Sequence, residues 1–375
     1  MSRFRALALA SLCLLAACAS KSVGPKPAEV PELANPQPVK VAWSARAGDA
    51  DAYIFSPALV GDAIYTAARD GTVKRLDASN GRQLWSVPSQ KDLSGGAGAD
   101  ARTVAVATEE GEVIALDAET GKVRWRSRVS SEVLAAPTVG AGLVLVRSID
   151  SRIFAFDEED GKRRWVYQRA ASSLMIRTPS GITLDGDMAY AGFPGGKLTA
   201  LALSNGGLRW EATVALPKGA TELERVTDIV GDPAVQGKEV CVAAYQGRVA
   251  CYEALTGRQS WARDMSSVTG VALDARYAYV SDDRGAVHAL DRTNGRSVWK
   301  QDKLSLRQLS LPVPIGDAIA VGDFEGYVHF LARDSGAFIA RYATEGGAVH
   351  AAPLVLPPSR VLVETQSGGL FALSL

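Results

Sequence analysis

All seven tryptophans of this chain belong to one spacing pattern. Trp85, Trp125, Trp165, Trp210, Trp261 and Trp299 each lie fourteen residues after a small residue, namely Gly71, Gly111, Ser151, Gly196, Gly247 and Gly285. Gly326 and Gly368 extend the series to eight anchors, spaced 40, 40, 45, 51, 38, 41 and 42 residues apart. A repeat of this length with strand-like content points to the blades of a β-propeller.

The clearest copies read DGTVKRLDASNGRQLW (70–85), EGEVIALDAETGKVRW (110–125) and RGAVHALDRTNGRSVW (284–299). In each, two turn signals flank an apolar run. At the first turn the anchor Gly supplies a positive φ for a tight hairpin. The second turn runs from Asp77 to Gly81, Asp117 to Gly121 or Asp291 to Gly295, and suits a type I turn closed by a left-handed residue. Between the turns, the second and fifth residues after the anchor are apolar in every copy, from Val73 and Leu76 to Leu370 and Leu373. These positions have opposite parity, so both faces of the strand are buried, as in sheets stacked around an axis. An apolar strand precedes each anchor. A further segment before it often holds Pro, as at Pro57, Pro137, Pro233 and Pro353, which suits a strand start. Four strands per repeat follow.

The eighth anchor, Gly368, would need its Trp beyond Leu375, whereas Trp43 stands before the first repeat. Residues around 40–46 are therefore expected to form the outer strand of the last blade. The expected fold is all-β: an eight-bladed β-propeller with four antiparallel strands per blade, its ring closed by an N-terminal strand around Trp43. One repeat departs, since Ala340 takes the Trp position of the seventh blade and leaves a docking contact missing there.

The continuous repeat predicts one domain over 40–375. Before it, Met1 to Arg5 and the apolar run from Ala6 to Ala17 read as a signal peptide, 1–17, too short to span a membrane as a helix. It ends in Leu15-Ala16-Ala17-Cys18, which resembles a bacterial lipobox and implies lipidation of Cys18. An ordinary cleavage site with an incidental Cys is the alternative. Ala19, rather than an inner-membrane retention Asp, favours the outer membrane. Residues 18–39 hold Pro25, Pro27, Pro31, Pro36 and Pro38 and read as an extended tether reaching up to roughly 60 Å. A disordered leash is the alternative, and either leaves the propeller free to meet partners. Formal charge is zero with no basic stripe, which argues against nucleic acid.

Cys241 and Cys251 flank the turn at Gln246-Gly247. Equivalent positions in other repeats set a large residue against a small one, which suggests direct cross-strand neighbours. In an oxidising compartment they can form a disulfide, the alternative being two packed thiols. His288 and His329 occupy equivalent positions in consecutive blades, close enough to meet across an interface, but further metal ligands are lacking. Nucleophile elbows, phosphate loops and zinc spacings are absent from the sequence, so no catalytic or metal residue is assigned. Acid pairs such as Glu109-Glu110 and Glu158-Glu159 read as solvated turn residues. Two stretches break the rhythm: Ser172 to Arg177, with Leu174, Met175 and Ile176 beside the Arg, and Leu216 to Asp232, with Glu222, Glu224, Arg225 and Asp228. An apolar cluster beside Arg is what an interface hot spot looks like, although an inner strand and a solvated loop would also account for the two.

The repeated Asp-x-x-x-Gly-x-x-x-Trp, as in Asp77, Gly81 and Trp85, resembles the docking motif of the quinoprotein-type propeller family over about 335 residues. That family contains quinone-dependent dehydrogenases and noncatalytic scaffolds. The lipobox, the Pro-rich tether, eight blades without an added domain, and the segments GATELERVTDI (219–229) and GDFEGYVHFLARDSGAFIA (322–340) look more particularly like the lipoprotein propellers of the outer-membrane β-barrel assembly (BAM) machinery. The resemblance implies a noncatalytic adaptor without cofactor, lipid-anchored at the periplasmic face of the outer membrane, that binds the POTRA domains of BamA. In that family an apolar-x-apolar-Arg loop and an acidic loop make the contact. They match Leu174, Ile176 and Arg177, and Asp228, while the second acidic position falls on Val230. A further implied role is β-augmentation of unfolded outer-membrane proteins, limited because ring closure leaves few free edges. A periplasmic quinone-dependent dehydrogenase is the rival, but this chain lacks the adjacent cysteines such enzymes carry. A scaffold for another envelope machine is the third reading.

Overall fold

The computed structural model describes residues 24–170, 172 and 174–375, so the expected leader 1–17 and Cys18 lie outside the described residues. Thirty-two strands form eight separate four-stranded antiparallel sheets. Blades 1 to 7 span 58–88, 98–128, 138–168, 182–213, 229–264, 272–301 and 313–343. Blade 8 takes three strands from 354–374 and its outer strand, Lys40–Arg46, from the other end of the chain. Lys40 pairs with Ser374 and Trp43 with Ala372, which closes the ring as expected.

The burial pattern explains the strand order. Second strands such as Thr103–Ala107 are wholly buried, because each sheet packs against a neighbour on both faces. The third strands bury both parities, with Val113 and Leu116 each 0% exposed. Outer strands such as Val123–Arg128 bury little beyond their Trp. Pro57, Pro137 and Pro353 precede the first strands of their blades, whereas Pro233 lies inside Ile229–Gln236 at a break in register between Val230 and Ala234.

Each Trp reaches forward to the next blade. Trp43 Nε1 donates to the Ala78 carbonyl (3.1 Å), Trp85 to Ala118 (3.1 Å), Trp125 to Glu158 (2.9 Å) and Trp165 to Leu203 (2.8 Å). Trp210 donates to Ala254 (2.8 Å), Trp261 to Arg292 (2.7 Å) and Trp299 to Arg333 (2.7 Å). The receptor is always the turn joining the third and fourth strands, and the indole lies on that turn's Gly. At Gly161 (φ +70°) a Cβ would stand 2.5 Å from Trp125 Cδ2, so only Gly admits the ring. The Ala340 departure now has a cause. Blade 8 receives its fourth strand from residues 40–46, so no such turn exists for a blade 7 Trp to meet. Ala340 is instead fully buried in a cluster that Val39, Ile339, Tyr342 and Phe371 cover.

Four expectations need correction. The described part of the tether is not free over 28–39. Ala28 N donates to Ser305 O (2.9 Å) and Gln37 N to Ile339 O (2.8 Å), binding this segment to the loop entering blade 7 and to that blade's outer strand. Closure does not remove most edges: it joins the ring's ends, while every blade keeps an outer strand paired on one side only. Charged residues such as Arg124, Arg126 and Arg128 discourage strand addition there. Glu158 is not solvated. It is 2% exposed, and its carboxylate accepts from Arg102 (2.7 Å) and Thr103 Oγ1 (2.9 Å). Finally, the histidines bind acids of their own blades, not each other. His288 Nε2 lies 2.8 Å from Asp282 and His329 Nε2 2.9 Å from Asp323, in each case six residues back in the chain. Burial holds His329 below its usual pKa. Cys241 and Cys251 are direct cross-strand partners, fully buried and joined as a disulfide with a Cα–Cα distance of 4.1 Å.

Candidate functional site

The two stretches that break the repeat are both connections from an outer strand to the next blade, so they share one face of the ring. Residues 169–181 enter blade 4 and residues 214–228 enter blade 5. Asp228 fastens the middle of the first stretch. This side chain, 4% exposed, accepts from Ile176 N (2.8 Å) through Oδ2 and from Gly195 N (3.3 Å) through Oδ1. Burial raises its pKa, and the two backbone N–H groups oppose that rise. Asp228 therefore acts as the loop's fastening and does not offer its carboxylate to the surface. Val230, 1% exposed, lies in the core with Cys241 and Trp261, so the second acidic position has no surface counterpart.

The fastening turns Ile176 inward, where it packs against the same core cluster, and leaves Leu174 outward at 38% exposure. Ser172 Oγ donates to Leu174 O at 2.7 Å and supports the bend. Arg177 stands at the rim with 58% of its side chain exposed. It pairs with Glu132, and its guanidinium carbon lies 5.7 Å from the Tyr53 ring centroid. Burial pushes the Glu132 carboxyl up, against the pull of Arg177. Tyr53 donates to Glu109 (2.9 Å), and Arg69 lies over its other contacts, 4.6 Å from the centroid and 3.1 Å from Glu109. The Tyr53 hydrogen bond, helped by Arg69, holds the exposed Glu109 carboxylate low. This arrangement joins the loops that enter blades 1, 3 and 4. Tyr53 and Glu132 were not singled out in the sequence. They lie 124 and 45 residues from Arg177, and no local pattern marks them.

Beside the loop lies a cavity of about 220 Å³, walled mainly by Leu134, Ile149, Met175, Ile176 and Ile229. Arg147 is its cationic wall. Its Nη1 donates to Ser180 O (2.7 Å), its Nε is unpartnered among the described residues, and burial lowers its pKa to about 10. The second stretch adds two outward leucines, Leu216 at 66% and Leu223 at 72% exposure. Its turn is self-capped: Glu224 Oε2 accepts from Ala220 N (2.8 Å) and Thr221 N (3.1 Å), which lowers the carboxyl's pKa. The first stretch thus presents Leu174 outward beside an ion-paired Arg that lines an apolar hollow, and the second presents Leu216 and Leu223 outward. That chemistry suits recognition of a folded surface.

The residues present do not fit a quinone held by calcium at the channel mouth. All seven tryptophans are docked on neighbouring blades, so none is left to stack on a planar ring there. Asp282, at the mouth, already accepts from His288 and from the Ala286 (2.8 Å) and Arg284 (3.0 Å) amides. Pro25 and Pro27 line the mouth cavity itself. Among the described residues no group of three or more His, Cys, Asp or Glu side chains is placed to hold a metal ion.

The family described as "Outer membrane protein assembly factor BamB" matches residues 69–301. The chain is 43% identical over 346 residues to the protein of that name from Bordetella pertussis, covering 92% of this chain and 89% of that one. It is 44% identical over 361 residues to the one from Pseudomonas aeruginosa, covering 95% of each. Among solved structures, BamB from Moraxella catarrhalis superposes with a TM-score of 0.82 at 28% identity, over 90% of this chain and 100% of that one. A quinohemoprotein alcohol dehydrogenase from Pseudomonas putida reaches 0.71 at 14% identity, over 90% and 76%, a likeness of fold alone.

Proposed function

The chain belongs to the BamB family of outer membrane protein assembly factors, and from that membership we propose that it is a noncatalytic adaptor whose loop at 174–177 docks a POTRA domain of BamA. The observation that carries this is the state of Arg177. It is more than half exposed, aimed by a loop that a buried carboxylate fastens, and lines an apolar cavity, with the outward Leu174 three residues before it. Desolvated arginine flanked by apolar anchors is the usual make-up of a binding hot spot. A partner carboxylate would compete with Glu132 for Arg177, while an apolar partner side chain fills the hollow beside Met175. Asp228 acts through Ile176 and positions the loop without touching the partner.

The same reading places the protein at the periplasmic face of the outer membrane, held there by a lipid on Cys18. Unfolded outer-membrane proteins are the second class of partner, met at the one-sided outer strands. The charge on those strands makes this the weaker contact. The test is a binding assay between the protein and a soluble POTRA fragment of BamA. Arg177→Glu is expected to weaken binding at least tenfold with an unchanged denaturation midpoint, and full retained affinity would remove Arg177 from the interface. Native mass spectrometry of the protein extracted from its own membranes in mild detergent checks the broader claim. Co-migration with a BamA-like barrel supports it, and a monomer carrying a quinone and calcium refutes it.

A further inference from the structure

The cavity at the centre of the ring, about 550 Å³, is lined by Ile54, Thr178, Gly285, Leu306 and His350 from the loops of five different blades, and also by Pro25 and Pro27. The N-terminal segment therefore starts over the channel mouth, on the face that carries Arg177. From there it runs outward along blade 7. Two arginines grip its backbone: Arg307 Nη1 donates to Ala28 O (2.9 Å) and Arg341 Nη2 to Pro31 O (2.6 Å). Both guanidinium groups are held from behind. Arg307, 2% exposed, is paired to Asp323 at 2.7 Å and to Glu325, and Arg341 Nε donates to His329 Nδ1 at 3.2 Å. Farther along, Gln37 is bonded to Ile339, and Val39 packs on the cluster of Ala340, the position where other blades carry Trp.

We propose that this segment is a fixed mount, which makes the anchored protein present its channel-mouth face, with Arg177, to the bilayer. The proposal rests on the lipid anchor at Cys18 put forward above. Seven Cα-to-Cα steps lead from Cys18 to Pro25. Fully extended, they span about 25 Å. To bring the opposite face to the membrane, the chain would have to cross a blade and descend its height. Three strand spacings are about 14 Å and a six-residue strand is about 20 Å, so the path is about 35 Å before any loop is counted. The reach is too short. A free tether over 18–39 would have allowed either face, and the grip on Ala28 and Pro31 removes that choice. The site for the partner and the exit of the anchor are thereby brought to one side of the disc.

The test uses the full-length lipidated protein in vesicles of phosphatidylethanolamine and phosphatidylglycerol containing a headgroup nitroxide quencher. A fluorophore is placed on Asp283→Cys, on the mouth face, or on Glu159→Cys, in a turn of the opposite face. The mount predicts quenching of the Asp283→Cys label at least about twofold stronger than that of the Glu159→Cys label. A Gly/Ser insertion of about 20 residues between Cys18 and Pro25 is expected to erase that difference while the protein still floats with the vesicles. Equal quenching without the insertion, or stronger quenching at Glu159→Cys, overturns the mount and leaves the anchor standing. Failure to float refutes the anchor reading and the mount with it. Hydrogen exchange on the same sample gives an independent check: the Ala28 and Gln37 amides should be protected, and free exchange at both overturns the docking.

Discussion

Trp125→Ala isolates one docking contact between blades. The indole is 7% exposed, lies on Gly161 and donates to the Glu158 carbonyl at 2.9 Å. A buried Trp removes about 150–250 Å² from water. At about 25 cal/mol per Å² this is about 4–6 kcal/mol, an upper estimate because unfolded chains already hide part of that area. Large aromatics cut back to Ala in cores lose about 3–5 kcal/mol. The Glu158 carbonyl also loses its donor, worth about 1 kcal/mol. A loss of about 4 kcal/mol is expected. With a urea slope of about 3 kcal/mol/M or more for a chain of this size, the midpoint falls by about 1 M. The assay is equilibrium urea unfolding followed by circular dichroism. A shift under about 0.3 M would refute the docking role. The converse change sharpens the test. If Trp docking needs a receptor turn, Ala340→Trp has nothing to meet and overpacks a fully buried site, at a cost of about 1–3 kcal/mol. Stabilisation by Ala340→Trp would contradict that account.

Asp228→Ala should free the Ile176 amide, giving faster hydrogen exchange there and weaker POTRA binding, with a stability loss of about 1.5–3 kcal/mol; unchanged exchange at Ile176 contradicts its fastening role. Glu364 is 4% exposed with both carboxylate oxygens unpartnered among the described residues, and burial raises its pKa well above normal. The folded state thus holds a proton that the unfolded chain gives up from about pH 4, so stability falls as pH rises from there toward the folded pKa. Glu364→Met should raise the urea midpoint more at pH 8 than at pH 4, and an equal shift at both contradicts this. The disulfide between Cys241 and Cys251 closes a short loop, so Cys251→Ala should lose up to about 3 kcal/mol under oxidising conditions and become insensitive to reductant, as unfolding with and without dithiothreitol will show.

The ring was legible because its determinants are local and repeated. Apolar residues of both parities recur in all eight repeats, the fourteen-residue step from anchor to Trp in six and a Gly four residues past an Asp in four, and the displaced Trp43 indicates the closing strand. What stayed hidden depends on contacts between distant parts of the chain. Glu158 looks like any turn acid, yet Arg102 and Thr103 of the preceding blade enclose it. Asp228 is recognisable as an acid near the partner loop, but its inward aim toward the Ile176 amide is set by how blades 4 and 5 pack. Glu132 and Tyr53, which hold Arg177, carry no periodic signal at all. The Pro-rich run from 25 to 38 has the composition of a spacer, and only the opposed arginines on blade 7 show that most of it is bound.

The closing strand also sets a schedule. Lys40–Arg46 is made before every other strand of the ring and its ladder partner Gly369–Ser374 after them, so the ring cannot close until all eight blades have been made. Contacts so far apart in sequence form slowly, because the intervening chain loses entropy when they meet. Trp43, however, docks only 35 residues ahead, on Ala78 in blade 1. That short-range contact can park the first strand beside blade 1 long before its partner exists, so the last step joins two pre-placed edges and requires no search by a loose end. A Trp43→Ala chain should then refold more slowly than its lost stability accounts for. If its folding arm matches that of Trp125→Ala in stopped-flow refolding, early parking has no part in closure.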